Sequence, residues 1–151
     1  MTDQWLIMVV SSNLEARRNV TRMLTSQGFE TISAASVREC GEVANTQDVA
    51  LIFCDRDLSD GDYRDVLAMT LCRPHKNKAR VVLISSQMSP EAYQEAKRSG
   101  VFDVISLPCR PTNLEWTVIL AKRDERSRRK ELLGIAPYNR PSVKSAAAGI
   151  S

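Results

Sequence analysis

The sequence predicts a doubly wound α/β domain: one five-stranded parallel sheet with helices on both faces. Three observations predict it. Five short apolar runs alternate with five segments of helical periodicity. Three of those runs are almost continuously apolar, as parallel strands covered on both faces are. The helical segments also carry start and stop residues at the right places. Successive β-α units joined by right-handed crossovers give the layered arrangement.

The first strand is expected over 5–10, Trp5-Leu6-Ile7-Met8-Val9-Val10. Helical spacing then runs from about Leu14 to Ser26, with Val20, Met23 and Leu24 on one face and Gly28 beyond its end. The second run, 29–34, is weaker and more alternating, which suits an edge strand. Ser36-Val37-Arg38-Glu39 is a capping box that opens the second helix. The third strand covers 49–54. An acidic, turn-rich segment follows it and leads into a third helix, with Tyr63, Val66, Leu67 and Thr70 at helical spacing. The fourth strand covers 80–85. Ser89-Pro90 supplies an N-cap and a first-turn proline for the fourth helix, and Gly100 closes it. The fifth strand covers 102–107. Thr112-Asn113-Leu114-Glu115 reads as a second capping box, followed by Leu114, Val118 and Ala121 on one helical face. That pattern continues through Lys122 to Leu133. After Gly134 the composition shifts to Pro, Ser, Ala and Gly, so a disordered tail is expected. The expected organisation is a domain over 1–121, a basic helical extension over 122–133 and a tail over 134–151.

Composition narrows the function classes. With 151 residues, 43% of them hydrophobic, the chain can build one well-formed core. No apolar run approaches the roughly 18 to 20 residues of a membrane span. The run at 5–10 follows Asp3, lacks a basic region before it and is too short for a signal peptide. Cys40, Cys54, Cys72 and Cys109 form no C-x-x-C, and the lone histidine, His75, has no ligand cluster beside it. That pattern argues against a zinc site, the cysteines read as small core residues, and a reduced, cytoplasmic setting is expected. The net charge of +3 is uneven: residues 122–151 carry +5 and the body −2. The basic run from Lys122 to Lys130 reads as a solvated helix end, where cations suit the helix dipole. It lacks interleaved aromatics and a recognisable DNA-binding domain, which argues against nucleic acid as a partner.

The chemistry points to the end of the third strand. In open α/β sheets, ligands bind at the carboxyl ends of the strands. There the run Leu51-Ile52-Phe53-Cys54 ends in Asp55, and Arg56-Asp57-Leu58-Ser59-Asp60-Gly61-Asp62 follows. Asp55 is therefore the first candidate for a functional carboxylate. The D-x-D start is not an EF-hand loop, since Asp60 stands where glycine is needed and Val66 where the bidentate glutamate is needed. Nor does the first β-α turn, Ser11-Ser12-Asn13-Leu14, carry a glycine-rich phosphate loop, which argues against an enzyme of the flavodoxin type.

From residue 4 to about 121 the chain resembles a response-regulator receiver domain of the chemotaxis-regulator type. Asp55-x-x-Leu58-Ser59-Asp60-Gly61-Asp62 is similar to the family's loop after the third strand, with Ser59 in place of a proline. Ser85-Ser86 after Val81-Val82-Leu83-Ile84 matches its Thr/Ser-Ala pair, and Pro108 matches the proline of its Lys-Pro pair. The resemblance implies a flavodoxin-like sheet of order 2-1-3-4-5 and a non-enzymatic role in bacterial two-component phosphorelay signalling. It implies Asp55 as phosphoacceptor, with Ser85 and Ser86 as switch and phosphate contacts. It also implies Mg²⁺ held by Asp55 and the backbone carbonyl of Asp57, a histidine kinase or other signalling protein as partner, and docking or dimerisation through the fourth helix, fifth strand and fifth helix. Trp116 is the candidate anchor there.

Several positions depart from the family. The acidic pair falls on Ser11 and Ser12, the lysine on Leu107 and the aromatic switch on Val104. Phosphoryl transfer is mainly an electrostatic problem, and this set lacks two anionic metal ligands and a cation. Magnesium binding is therefore expected to be weak and phosphorylation slow. Two substitutes are open: Asp57, Asp60 and Asp62 recruiting a metal from the other side of the loop, and Arg56 supplying the cation. Otherwise the chain is a phosphorylation-independent pseudo-receiver that acts through protein contacts alone or, third, a nucleic-acid-associated adaptor using the basic tail. Leu107 and Val104 most simply extend the core.

Overall fold

The structure, a computed structural model, describes residues 5–71, 79–132 and 134. Cys72 and His75 fall outside the described residues, as does the expected tail apart from Gly134. The elements are β1 (Leu6–Val10), α1 (Leu14–Ser26), β2 (Glu30–Ala34), α2 (Val37–Thr46), β3 (Val49–Asp55), β4 (Asp57–Leu58), β5 (Gly61–Asp62), α3 (Tyr63–Leu71), β6 (Arg80–Ser85), α4 (Pro90–Ser99), β7 (Asp103–Ser106) and α5 (Pro111–Leu132). The five long strands form one parallel sheet, β2-β1-β3-β6-β7, which is the expected order. The short β4 and β5 pair antiparallel in the acidic loop, a ribbon the sequence reading did not foresee.

The alternation of side chains along each strand splits the core in two. On one face Met8, Val10, Ile52, Cys54, Val81 and Leu83 pack with Cys40 of α2, Tyr63, Val66 and Leu67 of α3, and Ala96 of α4. On the other, Ile7, Val9, Leu51, Phe53, Val82 and Ile84 pack with Val20 and Leu24 of α1 and Leu114, Val118 and Ala121 of α5. The near-continuous apolar runs are thus the interior strands β1, β3 and β6, and the weaker run is the edge strand β2.

The helix ends show which local signals won. Ser36 accepts from the Glu39 amide and Glu39 answers on the Ala35 amide, a capping box displaced by one residue. Ser89 caps α4 on Ala92, and Gly100 ends it at φ 108° in the left-handed region. The second predicted box is a correction. Helix α5 starts at Pro111, and Asn113 accepts from the Arg110 amide at 2.8 Å, so Thr112 lies inside the first turn. A proline at the first helical position, which has no N–H to satisfy, sets that start two residues earlier than the box would.

The chain divides into two compact units, Met1–Ala121 and Lys122–Ser151. The sheet and α1 to α4 belong to the first. The second is described over the helical residues 122–132 and at Gly134. No helix among the described residues is long and apolar enough to cross a membrane.

Candidate functional site

Asp55 is the last residue of β3, the central strand, so it emerges where the carboxyl ends of β1 and β6 flank it. The strand behind it is buried from Leu51 to Cys54, while Asp55 itself is half-buried and reachable. Its two carboxylate oxygens have different partners. Oδ1 accepts from the Arg56 amide at 2.8 Å. Oδ2 accepts from the Ser11 hydroxyl at 2.9 Å. Ser11 follows β1 directly and is fully buried. Its one hydroxyl proton has a second acceptor in reach, the Asn13 carbonyl at 3.3 Å; the closer and charged carboxylate is the stronger partner. The same oxygen accepts from the Asn13 amide at 3.1 Å, and Arg17 donates to the Ser11 carbonyl at 2.6 Å. Ser12 is equally committed: it donates to the Ala35 carbonyl at 2.6 Å and accepts from the Ser59 amide at 2.9 Å. The two serines thus tie the loops after β1, β2 and β3 together.

The acidic loop has another task than the one expected of it. Asp60 accepts from the Val37 amide at 2.8 Å and the Arg38 amide at 3.0 Å, so it caps α2 from a distant loop. Those backbone bonds hold its carboxyl below the ordinary value of 3.8. Asp62 accepts from the Arg64 amide and lies 3.5 Å from that guanidinium. Gly61 sits where a Cβ would press on the side chains of Asp65 and Val37, so a larger residue there would have to push the Asp65 carboxylate aside. Two substitutes that the sequence left open have other partners in this structure. Asp60 and Asp62 spend their oxygens on helix starts and do not gather around a metal. Arg56 turns its guanidinium to the Gln87 carbonyl at 3.3 Å, joining this loop to the one after β6. Among the described residues, no group of three or more His, Cys, Asp or Glu side chains could hold a metal ion.

The cap gives a pH prediction. A carboxyl whose folded value is depressed contributes stability above its unfolded value and loses it as pH falls through the folded one. The Tm gap between the native chain and Asp60→Ala should therefore be widest near neutrality and narrow as pH falls through and below the ordinary value of 3.8. A gap that stays constant on acidification contradicts the cap.

The remaining candidates lie on β6, β7 and α5 or on the segments that follow the strands. Ser85 ends β6, is buried, and exchanges hydrogen bonds with the Gln87 backbone, accepting its amide at 3.1 Å. Ser86 is exposed. Leu107 and Val104 are partly buried against the two core clusters, as the apolar reading expects. The Leu107–Pro108 peptide is cis. Behind the site the Cys54 thiol is pushed well above its ordinary value by burial, then by Cys40, Asp55 and Asp62. Trp116 is 62% exposed on α5 and lines, with Val104, Ile105, Asn113, Thr117 and Leu120, a groove of about 430 Å³.

The arrangement is a carboxylate at a central strand end, framed by hydroxyl-bearing strand ends and a cis proline. The response regulator receiver domain model matches residues 7–119. The chain belongs to the response regulator receiver domain family. Solved receivers agree in fold. The NtrX receiver of Brucella abortus is 26% identical, with a TM-score of 0.69, covering 76% of this chain and 96% of that one. A CheY-like receiver protein from Methanospirillum hungatei is 19% identical, with a TM-score of 0.70, covering 82% and 98%. A response regulator from Burkholderia pseudomallei, described with a phosphorylated aspartic acid and a calcium ion, is 16% identical at a TM-score of 0.66, covering 84% and 74%. No curated protein is similar enough in sequence to count as a relative.

For a receiver domain, this chain is poorly equipped to hold magnesium. The ion takes hard oxygen ligands and is helped by anionic ones. Asp55 supplies the one carboxylate, already engaged on both oxygens, and the two positions of the acidic pair hold neutral hydroxyls with partners of their own. The donor set does not fit a tight magnesium site.

Proposed function

We propose that this chain is a receiver module of two-component signalling in which Asp55 is the phosphoacceptor and the resting site is held by a hydrogen bond in place of a metal. The observation that carries this reading is the 2.9 Å bond from the buried Ser11 hydroxyl to Asp55 Oδ2. A second carboxylate at Ser11 would repel Asp55 and call for a cation between them. A hydroxyl instead donates to it, so the loops close without one. Acceptance of a phosphoryl group is then slow, because Asp55 must first leave Ser11 and no cation replaces the family's lysine at Leu107. Ser85 and Ser86 serve as the phosphate contacts, and magnesium binds weakly at Asp55 and the Asp57 carbonyl.

On this reading the module occupies residues 1–121, with a helical extension over 122–133 and a tail over 134–151. It works in the cytoplasm by protein contact and not as an enzyme. Its partners are a histidine kinase or another signalling protein, with a second copy docking on the α4–β7–α5 face at Trp116. That tryptophan is large, rigid and exposed, which suits an interface anchor. The phosphorylated aspartic acid of the Burkholderia pseudomallei response regulator supports an aspartate as acceptor.

Intact mass after incubation with acetyl phosphate and Mg²⁺ tests this. The expected result is a small, hydroxylamine-labile gain of one phosphoryl group, absent in Asp55→Asn. No gain where ordinary receivers label would overturn the phosphoacceptor role. The chain would then be a phosphorylation-independent interaction protein, whose partner binding Asp55→Asn leaves unchanged.

A further inference from the structure

A second surface lies away from Asp55, where α1 runs along the edge strand β2. Leu14, Arg17, Arg18, Thr21, Arg22 and Ser33 line a groove there of about 430 Å³. Its lining holds three guanidiniums and no carboxylate, and among the described residues none of the three is in a salt bridge. Arg17 is half-buried and held by the Ser11 carbonyl, whereas Arg18 and Arg22 are exposed. Leu14 adds an exposed apolar side chain at one end, and the Thr21 hydroxyl, itself buried, has no hydrogen-bond partner.

The other wall is an open sheet edge. The Ser11 amide donates to the Ala34 carbonyl at 3.1 Å, so Ala34 turns its backbone groups toward β1. In a parallel ladder the residues that face one neighbour alternate. Ile32 therefore faces β1 with Ala34, while Thr31 and Ser33 present their N–H and C=O groups to the edge. Such an edge is a template for another strand.

We propose that this groove binds an extended acidic segment of a partner protein, which adds as a strand to the β2 edge and places its carboxylates on Arg18 and Arg22. Charge complementarity selects the occupant. The chain's own residues 122–151 carry +5 and are repelled by three arginines. A nucleic acid strand needs stacking platforms, and the lining contains no aromatic residue. The edge amides suit a peptide backbone, and the guanidinium fork suits carboxylates.

The test is fluorescence anisotropy with a labelled peptide of alternating glutamate and valine, beside its lysine counterpart, a single-stranded oligothymidylate and phosphatidylserine vesicles. The native chain should bind the acidic peptide and not the lysine one, with affinity falling as salt rises. Arg18→Glu with Arg22→Glu should weaken binding by about tenfold or more. Ser33→Pro removes an outward N–H together with the exposed serine side chain and fixes φ, changes that an edge strand tolerates. It should weaken the peptide as well while leaving the Tm and the circular dichroism spectrum unchanged. Absence of acidic-peptide binding at low salt, binding unaffected by Ser33→Pro in a folded chain, or preference for the oligonucleotide or the vesicles would each overturn the proposal.

Discussion

Replacing Ser11 and Ser12 together by aspartate is expected to make the stability of this domain depend on magnesium. The new carboxylate at position 11 stands in a fully buried place, where the serine hydroxyl lies 2.9 Å from an oxygen of Asp55. Without a cation the two like charges repel in a poorly solvated pocket, at a cost on the order of 3 kcal/mol. That lowers the Tm by roughly 10 °C for a domain of this size. With the second carboxylate at Ser12, both positions of the family's acidic pair are restored. Magnesium at a hundred times its Kd returns about 2.7 kcal/mol, nearly the whole loss. The native chain should melt at the same temperature in EDTA and in Mg²⁺. A native Tm that rises with Mg²⁺ as much as the variant's shows that the serines are not the reason for weak binding.

The second large effect lies in the core beneath the site. Phe53 is fully buried in β3, paired in register with Val9 and Val82, and packs with Val20, Leu24 and Leu114 in the cluster under α1 and α5. Phe53→Ala should cost about 3–5 kcal/mol, from lost transfer energy and the cavity left behind. Urea unfolding reads this as a lower midpoint with the slope unchanged. Trp116→Ala serves as the contrast. That ring is 62% exposed, so its truncation should move stability by no more than about 0.5 kcal/mol. Equal costs for the two would place Trp116 in a packed environment and remove it as an interface anchor.

What was legible in the chain follows the range of the interactions. The layers were readable because the interior strands β1, β3 and β6 are apolar along nearly their whole length while β2 on the edge is not, and the strand order came from the family resemblance. Ser36 and Ser89 were readable as caps because their partners lie three residues on. The start of α5 was misread because Thr112 and Glu115 have the spacing of a capping box, and Pro111 overrode it. The position of Asp55 was readable from the abrupt end of an apolar run. Its partner was not, since Ser11 lies 44 residues away and a serine there reads only as a lost carboxylate. The same holds for Asp60 on α2, across 22 and 23 residues, and for Ser12 on the Ser59 amide, across 47. Arg56 follows Asp55 in sequence, which suggested a cation for the phosphoryl group, but the side chain reaches across to the loop after β6.

The rate at which acetyl phosphate labels Asp55 decides between a serine that stands in for the metal-binding carboxylate and one that merely fills space. It should be followed by intact mass for the native chain and for the doubly aspartate-substituted variant, each in Mg²⁺ and in EDTA, with Asp55→Asn as control. If Ser11 holds Asp55 in place of a metal, the native chain labels slowly and almost equally in both buffers, and the variant gains about a hundredfold or more in Mg²⁺ alone. Fast labelling of the native chain that requires Mg²⁺ and matches the variant would contradict this.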